Sequence, residues 1–257
     1  MSELTHLSLF SGIGGLDLAA EWAGFTTVGQ CEFAKFPTKV LEKHWHDVPR
    51  WRDIHDLSAD EFYRRTGRKS VTLISGGFPC QPHSVAGLRM ASGDERDLWP
   101  EMRRVISEIR PQWVVGENVR GLLTSEDGRF FRGVLRDLAE LGFDVGWGVI
   151  SAAAVGAIHR RERVAIIAHN SSKRRTRIRT DEVPGVEILQ GVEVFGGIAE
   201  FGIRSSVYTP KLCRADDGIP DRLDRTKALG NCVVPQQFYS VFASIAKAEE
   251  LYGSDIY

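Results

Sequence analysis

Residues 76–84, Gly-Gly-Phe-Pro-Cys-Gln-Pro-His-Ser, set a single cysteine in a loop led by two glycines and braced by proline. Pro79 fixes its own φ and drives Phe78 towards extended geometry, so the Cys80 thiol is aimed by its backbone. The apolar, β-branched run 71–75 just upstream reads as a buried strand that the glycines stop. A cysteine at the end of such a strand is either an attacking thiolate or a small core residue, and this stretch alone does not choose between them.

A second cluster, Phe10-Ser11-Gly12-Ile13-Gly14-Gly15, follows a short strand at 7–10 and opens a helix at 16–23. Glycines there let backbone approach a ligand closely, and the helix start aims N–H groups at it. The spacing is not Gly-x-Gly-x-x-Gly, and no phosphate-loop lysine follows. Glu32 closes the next strand, where a carboxylate commonly accepts hydrogen bonds from ribose hydroxyls. Asp53 and Ile54 follow the expected third strand. Taken singly, an acid at either position is as readily a solvated strand end. The basic run 173–179 would suit a polyanion backbone or a solvated hinge equally well. His44 and His46 have no partner set, and no metal-ligand spacing is visible, so no metal is expected.

The elements that must hold these residues alternate. Strands are predicted at 26–31, 71–75, 113–117, 145–151 and 163–169, with helices at 34–44, 100–109, 130–141 and 236–251. Ser58-Ala59-Asp60-Glu61 has the form of a capping box that opens a further helix. Repeated strand–helix units predict an α/β fold, a doubly wound, mostly parallel sheet. The pattern breaks after His169, with at best weak strands at 187–189 and 192–195, and order returns near Gly218. The expected division is a catalytic domain at 1–169, a small basic region at 170–217, and a segment at 218–257 that returns to the first domain.

Bulk properties set limits. At 257 residues and 42% apolar content the chain can bury one large α/β core. A net charge of −1 gives no global attraction to nucleic acid, so such binding would rest on local charge. Four cysteines without zinc or C-x-x-C spacing suit a reducing cytoplasm. Neither a signal peptide nor an apolar run of membrane-spanning length is seen, so no membrane is expected as a partner.

Five blocks occur in order: Phe10-Ser-Gly-Ile-Gly-Gly15, Pro79-Cys80-Gln81, Glu117-Asn118-Val119, Arg161-Glu162-Arg163 and Gly230-Asn231-Cys-Val-Val-Pro235. With them the chain resembles the DNA (cytosine-5-)methyltransferases of bacterial or phage type, over residues 6–169 and 218–250. The resemblance implies a Rossmann-like, class I fold that uses S-adenosylmethionine, a small insert that reads the target, and double-stranded DNA as substrate. It implies that the Cys80 thiolate adds to C6 of a flipped-out cytosine, since C5 is a poor nucleophile until that addition makes it enamine-like. Glu117 would then hold N3 and N4 and supply a proton, which requires a raised pKa. Arg163 would contact O2, with Arg161 supporting the site.

The family's cofactor positions fall on Phe10, Gly12, Gly14, Glu32, Phe33, Asp53, Ile54 and Leu98, with Asn231 completing the pocket. Gln81, Ser84 and Arg89 would meet DNA beside the flipped base, and Lys173, Arg174 and Arg175 would hold phosphates. A cognate restriction endonuclease is a partner that the resemblance brings with it, and one chain supplies the whole site, so a monomer suffices. Two departures stand out: Ser8 replaces an acid that often precedes the family's Phe, and His159 replaces the glutamine of its Gln-x-Arg-x-Arg block. Two alternatives stay open, a tRNA cytosine-5 methyltransferase and a catalytically silent nucleic-acid-binding protein of the same fold.

Overall fold

The computed structural model describes residues 3–79, 97–170 and 222–252. Cys80, Gln81, Ser84, Arg89, the 173–179 run with Lys173, Arg174 and Arg175, and the weak strands at 187–195 lie outside the described residues.

Strand β1 (Thr5–Leu9) leads to α1 (Gly15–Trp22), β2 (Thr26–Cys31), α2 (Lys35–His44) and a short β3 (Arg50–Trp51). Next come α3 (Ala59–Thr66), β4 (Leu73–Gly76), α4 (Trp99–Ile109), β5 (Trp113–Val119) and α5 (Arg129–Glu140). The chain then forms β6 (Phe143–Ser151) and β7 (Glu162–Asn170), and after the undescribed segment α6 (Arg222–Asn231) and α7 (Pro235–Tyr252). The Ser58 hydroxyl accepts from the Glu61 N–H and so caps α3, as the local sequence predicts.

Among the described residues these strands form one seven-stranded sheet in the order β3-β2-β1-β4-β5-β7-β6. The five strands from β3 to β5 pair in parallel, whereas β7 runs antiparallel to both β5 and β6. The reason lies in the connection: residues 152–161 carry only a single 3-10 turn, shorter than the dozen or so residues that a parallel crossover needs. Strand order reverses between β1 and β4, so a crevice opens beyond their carboxyl ends.

Both faces of the sheet are covered. Leu7 and Leu9 face one layer with Phe62 of α3, Met102 and Val105 of α4, and Val134 and Leu138 of α5. The opposite face packs Leu16, Ala19 and Ala20 of α1 against Phe238, Val241, Phe242 and Ile245 of α7. The C-terminal helix therefore returns to the start of the chain. The buried amide of Gln237 ties it in by donating to the carbonyls of Ile150 and Arg161, at 2.8 and 2.7 Å.

The β1 side chains facing this second layer are polar, and they are satisfied. His6 Nε2 lies 2.7 Å from Ser75 Oγ and its Nδ1 3.1 Å from Thr27 Oγ1, while burial lowers its pKa to about 3. The imidazole is thus neutral, and it links three strands. Ser8 donates to Asp17 Oδ2 at 2.8 Å. Gln30 donates to the other Asp17 oxygen at 2.7 Å, and Arg50 Nε donates to Gln30 at 2.8 Å. The first turn of α1 thus supplies an acid beneath the glycine loop. Burial raises the Asp17 pKa to about 6, against the opposing hydrogen bonds from Gln30 and Ser8.

That shift fixes a sign. A carboxyl whose folded pKa lies above its unfolded value favours the folded chain at low pH and loses that contribution as pH rises through 6. Asp17→Asn should therefore gain stability relative to the native chain between about pH 4 and pH 7, by on the order of 3 kcal/mol. Urea denaturation at the two pH values checks this, and a constant difference between the proteins would contradict it.

Candidate active site

Sheet register sets the site. Leu9 pairs with Cys31 and with Gly76, and Gly76 pairs with Gly116. The next residue on each strand is Phe10, Glu32, Gly77 and Glu117, so the chemistry-bearing positions leave the sheet side by side. Phe10 adopts a left-handed φ of 51°, unusual for a bulky residue, and so turns the chain sharply into the glycine loop.

On β5, the Glu117 carboxyl has its side chain only 13% exposed. Its Oε1 lies 2.7 Å from Arg163 Nε of β7, an arm that antiparallel pairing brings back beside β5. Burial raises the Glu117 pKa to about 7, in opposition to the charges of Arg163 and Arg161. The second oxygen, Oε2, faces the loop after β4: a Cβ placed on Gly77 would sit 2.6 Å from it. Only glycine leaves room for this carboxyl. Asn118 donates to the Phe78 carbonyl at 2.9 Å, clamping the loop onto β5, and the Phe78 ring packs on Trp99 at 5.0 Å. Trp99 is held in turn by its indole N–H on Asp137, at 2.8 Å. The residues that lead directly into Cys80 are therefore fixed from three elements.

Arg161 donates to the Gly230 carbonyl at 2.5 Å, which joins the connection before β7 to the C-terminal block. Burial and the neighbouring Arg163 lower its pKa. Cys232 donates to the Val233 carbonyl at 3.0 Å, and burial raises its thiol to about 11. Cys31 is raised to about 12 for the same reason. Neither of these two described cysteines is a thiolate at neutral pH.

Comparison with known proteins identifies the family. The family model of C-5 cytosine-specific DNA methylase matches residues 4–192. The chain belongs to that family. The Type II methyltransferase M.PspPI of Psychrobacter sp. (strain TA137) is 37% identical over 164 residues, 63% of this chain and 38% of that protein. M.NgoMIV of Neisseria gonorrhoeae, also a Type II methyltransferase, is 33% identical over 167 residues, 65% of this chain and 52% of that protein. The first relatives are thus spanned over 37% to 52% of their own length. Among solved structures, Spodoptera frugiperda DNMT2 superposes with a TM-score of 0.54 at 20% identity, covering 65% of this chain and 50% of that one. At that identity the likeness shows the fold.

In this C-5 cytosine methylase chain the expected cofactor residues Phe10, Gly12, Gly14, Glu32, Phe33, Asp53 and Ile54 follow β1, β2 and β3, whereas Leu98 precedes α4 and Asn231 ends α6. Gly12 N donates to Glu32 Oε2 at 2.7 Å and Ala34 N to Oε1 at 2.8 Å, so the carboxylate is fixed by backbone with lone pairs to spare. Gly12 has a φ of +56° and open space where a Cβ would be, so the cradle admits a ligand against its backbone. Gly14 is different: it is buried with a Cβ position 2.5 Å from the Trp45 ring, and packing accounts for that glycine. Phe33 presents its ring 75% exposed beside Glu32. Asp53 accepts from the His55 N–H at 3.0 Å and its ring nitrogen at 2.6 Å, which lowers the Asp53 pKa, and Ile54 is buried under it. Leu98 packs on the main core cluster, and Asn231 is exposed at the end of α6. An open glycine backbone, a fixed carboxylate and an exposed ring fit a nucleoside bearing a ribose.

Three residues here carry little signal in the sequence: Gly77 reads as a strand stop, Asn118 as part of a block, and Arg120 as a surface cation. Arg120 follows β5 and pairs with Glu162 at 2.6 Å. Among the described residues, no group of three His, Cys, Asp or Glu could hold a metal ion, and no helix is long and apolar enough to cross a membrane.

Proposed function

We propose that the chain transfers a methyl group to C5 of cytosine in double-stranded DNA. The observation that carries this reading is the buried Glu117–Arg163 pair, whose carboxyl has its pKa raised to about 7 beside the Gly77 loop. With Oε1 taken by Arg163, the proton of the acid form resides on Oε2, the oxygen that faces the loop.

Cys80 is the nucleophile in this scheme. Its sulfur forms a bond to C6, electron density moves to N3 and O2, and the Glu117 proton passes to N3 as the 5,6 double bond is lost. Arg163 balances the charge gathering on O2, and Arg161, held on the Gly230 carbonyl, adds positive charge beside Glu117. S-adenosylmethionine would be held by Phe10, Gly12, Glu32, Phe33, Asp53, Ile54, Leu98 and Asn231, with Gly14 shaping the loop by its packing on Trp45, and would supply an electrophilic methyl group whose sulfonium sulfur leaves as a neutral thioether. Water takes the C5 proton, the C–H electron pair re-forms the 5,6 double bond as the Cys80 sulfur leaves with the C–S pair, and N3 returns its proton to Glu117. Turning the base out of the duplex costs a few kcal/mol, which contacts from Gln81, Ser84, Arg89, Lys173, Arg174 and Arg175 would offset.

The same reading keeps the division into 1–169, 170–217 and 218–257, with target selection assigned to the basic middle region. It extends to a monomer, a cytoplasmic setting and a cognate restriction endonuclease. The test is incorporation of a labelled methyl group from S-adenosylmethionine into duplex DNA and, in parallel, into transfer RNA. Label in DNA, lost in Cys80→Ser with cofactor binding intact, is the expected result. Preference for RNA would transfer the reading to a tRNA methyltransferase. Cofactor binding without transfer to either would leave a silent binding protein.

A further inference from the structure

Among the described residues, positive charge gathers at one place beside Glu117. A cleft of about 490 Å³ is lined by Arg120, His159, Arg160, Arg161, Glu162 and Arg163. It holds four guanidinium groups and a single carboxylate, in a chain whose net charge is −1. That carboxylate, Glu162, is already engaged by Arg120 NH1 at 2.6 Å. Arg161 and Arg163 are turned inward, to Gly230 and Glu117. Arg160 and His159 are exposed, and among the described residues neither side chain has a hydrogen-bond or ion-pair partner. One edge of the catalytic pair is therefore an excess of positive charge with unused donors.

We infer that Arg120, Arg160 and His159 form a phosphodiester-binding rim that receives the backbone flanking the base presented to Glu117 and Arg163. The inference rests on the nucleic-acid reading given above and names the part of that substrate which this cleft takes. A base turned towards Glu117 brings its own 5′ and 3′ phosphates to the mouth of the site. Arg163 pairs across the sheet with Val119, and Arg120 follows Val119 directly, so the rim and the pocket share one end of β5 and β7. Guanidinium forks match phosphate oxygens in pairs, and one held by a carboxylate at NH1 keeps its remaining N–H groups pre-oriented. The substitution of His159 for the family's glutamine leaves a ring N–H available at the same edge.

The test uses the full chain and a fluorescently labelled duplex of about 20 base pairs, with association constants measured by anisotropy across a salt series. Each lost phosphate contact should lower the slope of log K against log salt by about 0.9. Arg160→Gln should show that loss. The paired exchange Arg120→Gln with Glu162→Gln leaves net charge unchanged, so a fall in its slope reports a lost contact and not a weaker overall field. Arg136→Gln, on the exposed face of α5, serves as the comparison and should leave the slope unaltered. Calorimetric binding of S-adenosylmethionine to each variant confirms an intact fold. A slope for Arg160→Gln equal to that of the native chain, or a fall matched by Arg136→Gln, would overturn the rim. Native protein that binds duplex with the rim-dependent slope but transfers no methyl group would support the rim and refute the reaction.

Discussion

Glu117→Gln is expected to slow methyl transfer to DNA by about 10²–10⁴-fold, the span a positioned general acid contributes. Glutamine keeps the volume of the side chain and can still accept from Arg163 through its carbonyl. It offers no acidic proton to N3, so charge that gathers on the ring when Cys80 adds is left without a donor. S-adenosylmethionine affinity should be retained, because Glu117 stands on β5 while the cradle lies beyond β1, β2 and β3. The two effects are separable by single-turnover kinetics and by calorimetry.

The pH profile carries the same claim with a sign attached. Burial raises the Glu117 pKa to about 7, so the acid form dominates below that value and the carboxylate above it. If the acid form donates, the single-turnover rate should fall as pH rises through 7, roughly tenfold per unit once past the midpoint. Glu117→Gln should lose that limb. A native rate that climbs through the same interval, with no fall that Glu117→Gln removes, would contradict donation from the acid form.

Gly77→Ala has the second large expected effect, and it comes from space alone. The added methyl would sit 2.6 Å from Glu117 Oε2, closer than carbon and oxygen can approach. Either the carboxyl leaves Arg163 or the loop that carries Cys80 moves outward. Asn118 and Trp99 clamp that loop through Phe78, so the displacement is resisted on both sides. A shift of about 1 Å at a reacting group costs about 10²-fold in rate, and overpacking of this kind costs about 1–3 kcal/mol in stability. Turnover and thermal unfolding measured together check both. Native turnover in the alanine variant would mean that Glu117 does not occupy its described position during the reaction.

Much of this architecture is legible in the sequence because its local signals agree. Strand 26–31 and the helix after Ser58 follow from apolar runs and a capping box, and both stand where those signals place them. Of the five blocks that carry the family resemblance, those at Phe10, Glu117 and Arg161–Arg163 mark the ends of β1, β5 and β7, where side chains leave the sheet, while Gly230–Pro235 joins α6 to α7. Relations between distant residues are another matter. The antiparallel turn of β7 depends on the short connection 152–161, which periodicity does not register. Gly77 reads as a strand stop, since the carboxyl that needs its space lies on another strand. Ser8 looks like a loss until Asp17, buried in the first turn of α1, is found to receive its hydroxyl at 2.8 Å. Arg120 and Arg160 are ordinary surface cations in the sequence, and only the pairing of β5 with β7 gathers them at one edge.

The most direct test of the central claim is single-base mapping of 5-methylcytosine in unmethylated genomic DNA after incubation with S-adenosylmethionine and the native chain. Glu117→Gln is run beside it at equal protein and time. The account predicts 5-methylcytosine at one recurring short motif with the native chain, and methylation at that motif strongly diminished with the variant. No 5-methylcytosine from a native chain that binds the cofactor, or equal methylation by both proteins, would contradict it.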